Sequence, residues 1–124
     1  MKKSILILIT FFTLFSYSPA KAAETVTKND VQLRDDVIIT LLFPFIDKEI
    51  EKHYGEPKQY NNERILQIKK FRGGGYTFYV TVQVTTFEGA HGPPNDLVTI
   101  TFSNKENGDW KAIDFNSRRL KSNE

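Results

Sequence analysis

The stretch Tyr76-Thr77-Phe78-Tyr79-Val80-Thr81-Val82-Gln83-Val84-Thr85-Thr86-Phe87 reads as a long β-strand, because apolar and polar side chains alternate along nearly all of it. A period of two places Tyr76, Phe78, Val80, Val82 and Val84 on one face of a strand and Thr77, Tyr79, Thr81, Gln83 and Thr85 on the other. The β-branched and aromatic side chains suit a pleated, half-buried surface. The first face is expected to pack against a helix, and the second to meet solvent as one side of an antiparallel sheet.

Gly73-Gly74-Gly75 precedes this strand and Arg64 to Phe71 precedes the glycines, which predicts a hairpin. A phosphate cradle would need a helix after the glycines, and here a strand follows. Downstream, Leu97 to Phe102 reads as a third strand, Asn107-Gly108 as a turn and Trp110 to Phe115 as a fourth strand. Polar residues from Asn116 onward read as a fraying tail. Upstream, Leu33, Val37, Ile38, Leu41, Leu42, Phe45, Ile46 and Ile50 recur at spacings of three and four, the mark of a helix with one buried stripe.

Asn29 and Asp30 are candidate N-caps, so this helix is expected to begin between residues 30 and 35, with Asp35 and Asp36 complementing its positive end. Pro44 lacks a backbone donor and crowds the carbonyl of Thr40, which predicts a kink or a break. His53 suits the negative end, and Gly55 followed by Pro57 supplies the stop. The expected architecture is therefore α+β: one kinked N-terminal helix packed on a four-stranded antiparallel meander. It is cystatin-like or NTF2-like in outline, a likeness that carries no activity.

The first 22 residues have another character. Lys2 and Lys3 precede an apolar run from Ile5 to Phe15, and Ala20-Lys21-Ala22 ends in small residues, the layout of a signal peptide cleaved after Ala22. The run is too short for a membrane span, which needs about 20 apolar residues. A secreted or envelope-associated protein is expected, divided into a signal peptide (1–22), a flexible lead-in (23–32), one domain (33–116) and a polar tail (117–124).

Cleavage would remove Lys2, Lys3 and Lys21 and no acidic residue. The 17 basic residues would fall to 14 against 15 acidic ones, taking the formal charge from +2 to −1. A nearly neutral domain lacks the broad basic face that nucleic acid requires. The chain has no cysteine, so apolar burial must stabilise a small exported domain without disulfides.

Between the second and third strands lies Glu88-Gly89-Ala90-His91-Gly92-Pro93-Pro94-Asn95-Asp96, longer than a hairpin needs. Its prolines stiffen the free chain and its scaffold is rigid, the setting in which loops carry sites. Glu88, His91, Pro93, Pro94 and Asp96 are the candidate binding residues. Glu88, His91 and Asp96 are of metal-ligating and acid–base types, although their spacing matches no zinc or calcium motif, and they equally suit side chains that organise a loop. Tyr79, Thr81, Gln83 and Thr85 form a polar strip that could hold a ligand, and Arg118, Arg119 and Lys121 form a short basic tail that could touch anionic polymers.

The sequence Val82 to Pro94, with Thr99-Ile100-Thr101-Phe102, Ile113-Asp114-Phe115 and Tyr54-Gly55-Glu56, resembles an uncharacterised family of small secreted proteins from Bacillus-like Firmicutes, domain of unknown function 3888. The resemblance spans Leu33 to Leu120 and implies a shared architecture and loop without naming a substrate. The family has Asn-Pro-Pro where this chain has Gly92-Pro93-Pro94.

No nucleophile elbow is visible and only two histidines are present. The expected function is a non-enzymatic binding module for an envelope or extracellular ligand or protein, with no cofactor and no membrane span after cleavage. The alternative is a small metal-dependent or acid–base hydrolase using the Glu88–Asp96 loop. Protease inhibition is disfavoured, since Gln83-Val84-Thr85-Thr86-Phe87 does not reproduce the inhibitor pattern Gln-x-Val-x-Gly.

Overall fold

The computed structural model describes residues 25–124, and the expected signal peptide lies outside the described residues. One helix, α1 (Lys28–Tyr54), is followed by β1 (Gln59–Lys70), β2 (Phe78–Phe87), β3 (Asp96–Ser103) and β4 (Lys111–Arg119). The strands form one antiparallel sheet in the order β1-β2-β3-β4, so the α+β meander is as expected.

The helix starts earlier than the apolar periodicity suggests. Thr27, rather than Asn29 or Asp30, is the N-cap, and it forms a capping box with Asp30: Thr27 Oγ1 accepts from the Asp30 amide while the Asp30 carboxylate accepts from the Thr27 amide. The hydrogen bonds from Thr27 hold the Asp30 carboxyl below its ordinary range. Residues 28–32 are consequently helical rather than a flexible lead-in, and Asp35 and Asp36 lie beyond the first turn.

Pro44 sits inside α1 without ending it. A helix-interior proline costs about 3 kcal/mol. The buried Leu42, Ile46 and Ile50 lie on both sides of it, and each buried side chain of this size returns about 1.5–3 kcal/mol. Packing therefore overrides the local preference. At the other end, Gly55 adopts φ 75° and its amide reaches the Glu51 carbonyl at 2.8 Å, the expected left-handed stop.

The core joins Leu42, Ile46 and Ile50 of α1 to Val80, Val82 and Val84 of β2 and Val98, Ile100 and Phe102 of β3. The register makes this possible by setting Val80, Val82 and Val84 opposite Phe102, Ile100 and Val98. The three valines of β2 take the helix side as expected, while Phe78 is half-buried outside this core. Tyr76 does not, because it belongs to the exposed Gly73–Gly75 turn. On the helix stripe, Leu33, Val37 and Leu41 are also exposed, and no residue of α1 before Ile39 is buried.

β1 begins five residues before the expected Arg64, and its register shifts between Asn61 and Arg64 and again between Ile65 and Gln67. Such bulges break the alternation from which a strand is read. β4 continues through Ser117, Arg118 and Arg119, which pair with Val98, Leu97 and Asp96, so the start of the expected tail is strand. No helix among the described residues is long and apolar enough to cross a membrane.

Candidate functional site

The Glu88–Asp96 loop is built as a small extension of the β2-β3 hairpin. Glu88 and Gly92 exchange backbone hydrogen bonds of 2.9 and 2.8 Å, closing a turn over Gly89, Ala90 and His91. Within it Gly89 and His91 have φ of 51° and 62°, and the turn thus holds a histidine in the left-handed region. The far side is pinned by Asn95, whose side chain donates to the Thr86 carbonyl at 3.0 Å and whose carbonyl accepts from the Leu120 amide at 2.9 Å. Pro93 and Pro94 are exposed.

The three titratable residues of this loop point to three places. Glu88 meets Lys58, whose Nζ also reaches Glu56 at 3.2 Å and lies 5.1 Å from the Tyr54 ring centre. The bonds to Glu88 and then Glu56 raise the Lys58 ammonium above its ordinary range. Asp96 turns to the helix side, where Oδ2 accepts from the Tyr54 hydroxyl at 2.8 Å and Oδ1 from Arg119 Nε. Burial pushes this carboxyl up, but the bonds from Arg119 and Tyr54 together outweigh burial and leave it below the ordinary carboxylate range. Only His91 leans toward the open face of the sheet, its ring 4.2 Å from that of Phe87 and its Nδ1 3.4 Å from Asn61 Nδ2. Among the described residues no three His, Asp or Glu side chains are grouped to hold a metal ion.

What the fold does bring together is a concavity of about 670 Å³ on the open face. It is lined by Asn61 and Arg64 of β1, Gln83 and Thr85 of β2, His91 and Asn95 of the loop, and Leu97, Arg118, Leu120 and Lys121 on the opposite side. Part of this lining is fixed by hydrogen bonds. Arg64 donates to Gln83 Oε1 through Nε at 2.9 Å and through Nη2, and Gln83 Nε2 donates to Thr99 Oγ1 at 3.2 Å. This chain of bonds runs across β1, β2 and β3 and explains why Gln83 is buried on the solvent side of the sheet. Every buried side-chain polar atom among the described residues has a partner.

The concavity unites three features that are separate in the sequence: His91 of the loop, Gln83 and Thr85 of the polar strip, and Arg118 and Lys121 of the basic tail. Arg119, the third basic residue, faces away and holds Asp96. Arg64 carries no signal in the sequence, since one arginine in a strand reads as a solvated side chain until the pairing with Gln83 is known. Glu124 accepts from Arg118 Nη1 at 2.9 Å, so three cations lining the site face one carboxylate.

Residues 34–118 match the family described as Protein of unknown function (DUF3888). The chain belongs to this family. The DUF3888 region reaches from the second turn of α1 to Arg118, and so contains the whole loop, Arg64, Gln83 and Arg118, while Lys121 lies beyond it. Among curated proteins and among solved structures, none matches the chain significantly.

Proposed function

We propose that this DUF3888 protein is an exported, non-enzymatic binding module and that the open-face concavity holds a polar ligand bearing negative charge. The observation that carries the reading is the convergence of Arg64, Arg118 and Lys121 around a lining already ordered by hydrogen bonds. Gln83 engages Nε and one N–H of Nη2, leaving the remaining N–H donors of the Arg64 guanidinium for a carboxylate or phosphate. Because that guanidinium is positioned in advance, less conformational entropy is lost on association. The amides of Asn61 and Asn95 add neutral donors and acceptors suited to hydroxyl-rich or peptide groups.

Export is supported by the Lys2-Lys3 start, the apolar Ile5–Phe15 run and the Ala20-Lys21-Ala22 sequence. Anionic cell-wall fragments or acidic glycans are then the natural class of ligand. The hydrolase alternative would pair His91 with Glu88 or Asp96, but both carboxylates are taken up by cations of the chain itself and His91 faces Asn61.

A thermal-shift panel of acidic cell-wall fragments, anionic lipids and divalent metals, run on the wild type and on Arg118→Glu, tests the reading. A ligand at about 100 times its Kd adds about 2.7 kcal/mol, which moves the Tm of a domain this size by several degrees. The shift is expected with the acidic fragments and is expected to vanish in Arg118→Glu. Stabilisation by metals alone, or an equal shift in the variant, would refute it.

A further inference from the structure

The flank of α1 next to β4 carries a second groove, of about 560 Å³, that shares no lining residue with the open-face concavity. Phe45, Phe102, Trp110 and Ala112 form its apolar lining, with Phe102 fully buried and the Phe45 ring edge-on to it at 6.4 Å. Lys48, Lys52 and Lys111 also line it, against one carboxylate, Glu49. Lys52 and Lys111 have acidic neighbours at 3.9 and 3.0 Å, whereas Lys48 has no ion pair among the described residues.

The apolar surface continues beyond the groove. Leu33, Val37, Leu41 and Phe45 are four residues apart and therefore lie along one side of α1. Leu33, Val37 and Leu41 are 55%, 61% and 69% exposed. This stripe enters the groove at Phe45, where the lysines begin. An apolar track that ends among cations complements a molecule with an apolar chain and an anionic head. We propose that the groove binds a single-chain anionic amphiphile of the fatty-acid class, its tail against Phe45, Trp110 and the Leu33–Leu41 stripe and its carboxylate among Lys48, Lys52 and Lys111.

A purely polar anion would leave the aromatic lining unused, and a neutral apolar molecule would leave the Lys48 ammonium without a counter-charge. The volume falls within the range of small-molecule sites. The site is independent of the open-face concavity, so either can fail alone.

Trp110 is the only tryptophan in the sequence, and it reports on this groove directly. Purified protein is titrated with sodium laurate below its critical micelle concentration while the Trp110 emission is followed. The same titration uses dodecyl maltoside and dodecyltrimethylammonium as neutral and cationic heads on the same chain. Laurate is expected to give a saturable blue shift, with apparent affinity at least about tenfold above either other head. The Lys48→Glu, Lys52→Glu double variant is expected to weaken laurate about tenfold, and Lys48→Ala, which leaves the helix composition nearly unchanged, to weaken it less. Circular dichroism establishes that both variants are folded. The proposal is overturned by a response that does not saturate, by equal affinity for all three heads, by unchanged laurate binding in the folded variants, or by a dimer that covers the Leu33–Leu41 stripe and excludes laurate.

Discussion

The Tyr54 hydroxyl donates to Asp96 Oδ2 at 2.8 Å, joining the last turn of α1 to the first residue of β3 across 42 positions of sequence. Arg119 at the end of β4 holds the other oxygen of the same carboxylate. The two bonds clamp the helix and the last two strands at one end of the sheet, directly behind the Glu88–Asp96 loop. Burial first, and then the bond to Asp96, raises the Tyr54 phenol above its ordinary range. Tyr54→Phe keeps the ring and removes one bond to a charged acceptor, so it is expected to cost about 1–2 kcal/mol in urea unfolding. An unchanged midpoint would show that the bond contributes nothing.

The clamp also sets a pH response. The folded value of Asp96 lies below its unfolded value, so as pH falls the unfolded chain takes up the proton first. The stabilisation is fully present above the unfolded value of about 3.9 and is lost as pH falls through the lower folded value. Between pH 5 and pH 2, wild type is expected to lose more stability than Asp96→Asn, and the difference between their unfolding curves isolates this carboxylate. Parallel curves would contradict the assignment.

Pro44 gives a prediction of opposite sign. Replacing it with alanine restores a donor for the Thr40 carbonyl in the middle of α1. The unfolded chain simultaneously gains freedom, which offsets about 1 kcal/mol of the roughly 3 kcal/mol recovered. Pro44→Ala is expected to stabilise by about 2 kcal/mol in urea melts. A loss of stability would mean that the helix needs proline geometry there.

At the concavity, two arginines separate support of the fold from contact with ligand. Arg64→Met removes the donors that satisfy the buried Gln83, and it is expected to cost about 1–3 kcal/mol and weaken ligand binding. Arg118 is exposed and paired with Glu124, so Arg118→Glu is expected to leave stability within about 0.5 kcal/mol while abolishing binding. Equal destabilisation by both would place Arg118 in the scaffold instead.

Sequence periodicity reveals β2 because Val80, Val82 and Val84 alternate with polar neighbours and are buried as that pattern requires. It misplaces the start of α1, since Thr27 and Asp30 signal a cap by hydrogen bonding and not by hydropathy. It also assigns Leu33, Val37 and Leu41 to the core, because spacing shows which residues share a helix face but not whether a partner reaches it. The start of β1 is hidden by bulges around Asn62, a residue with φ 55°. The loop stands out by its length and composition, and His91 within it does reach the concavity. Arg64 does not stand out, because its place depends on the register with Gln83, and the Arg118–Lys121 segment looks like a loose end until β4 is seen to carry it past the loop.

The proposed binding stands on the open face between the loop and β4 as the ligand surface. Amide chemical-shift mapping on isotope-labelled protein, titrated with an acidic cell-wall fragment that stabilises it, locates the contact residue by residue. Saturable shifts are expected at Asn61, Arg64, Gln83, Thr85, His91 and Arg118, with α1 from Lys28 to Leu41 unmoved. Shifts confined to α1, or none at the open face while the Tm still rises, would place the ligand elsewhere and overturn the proposal.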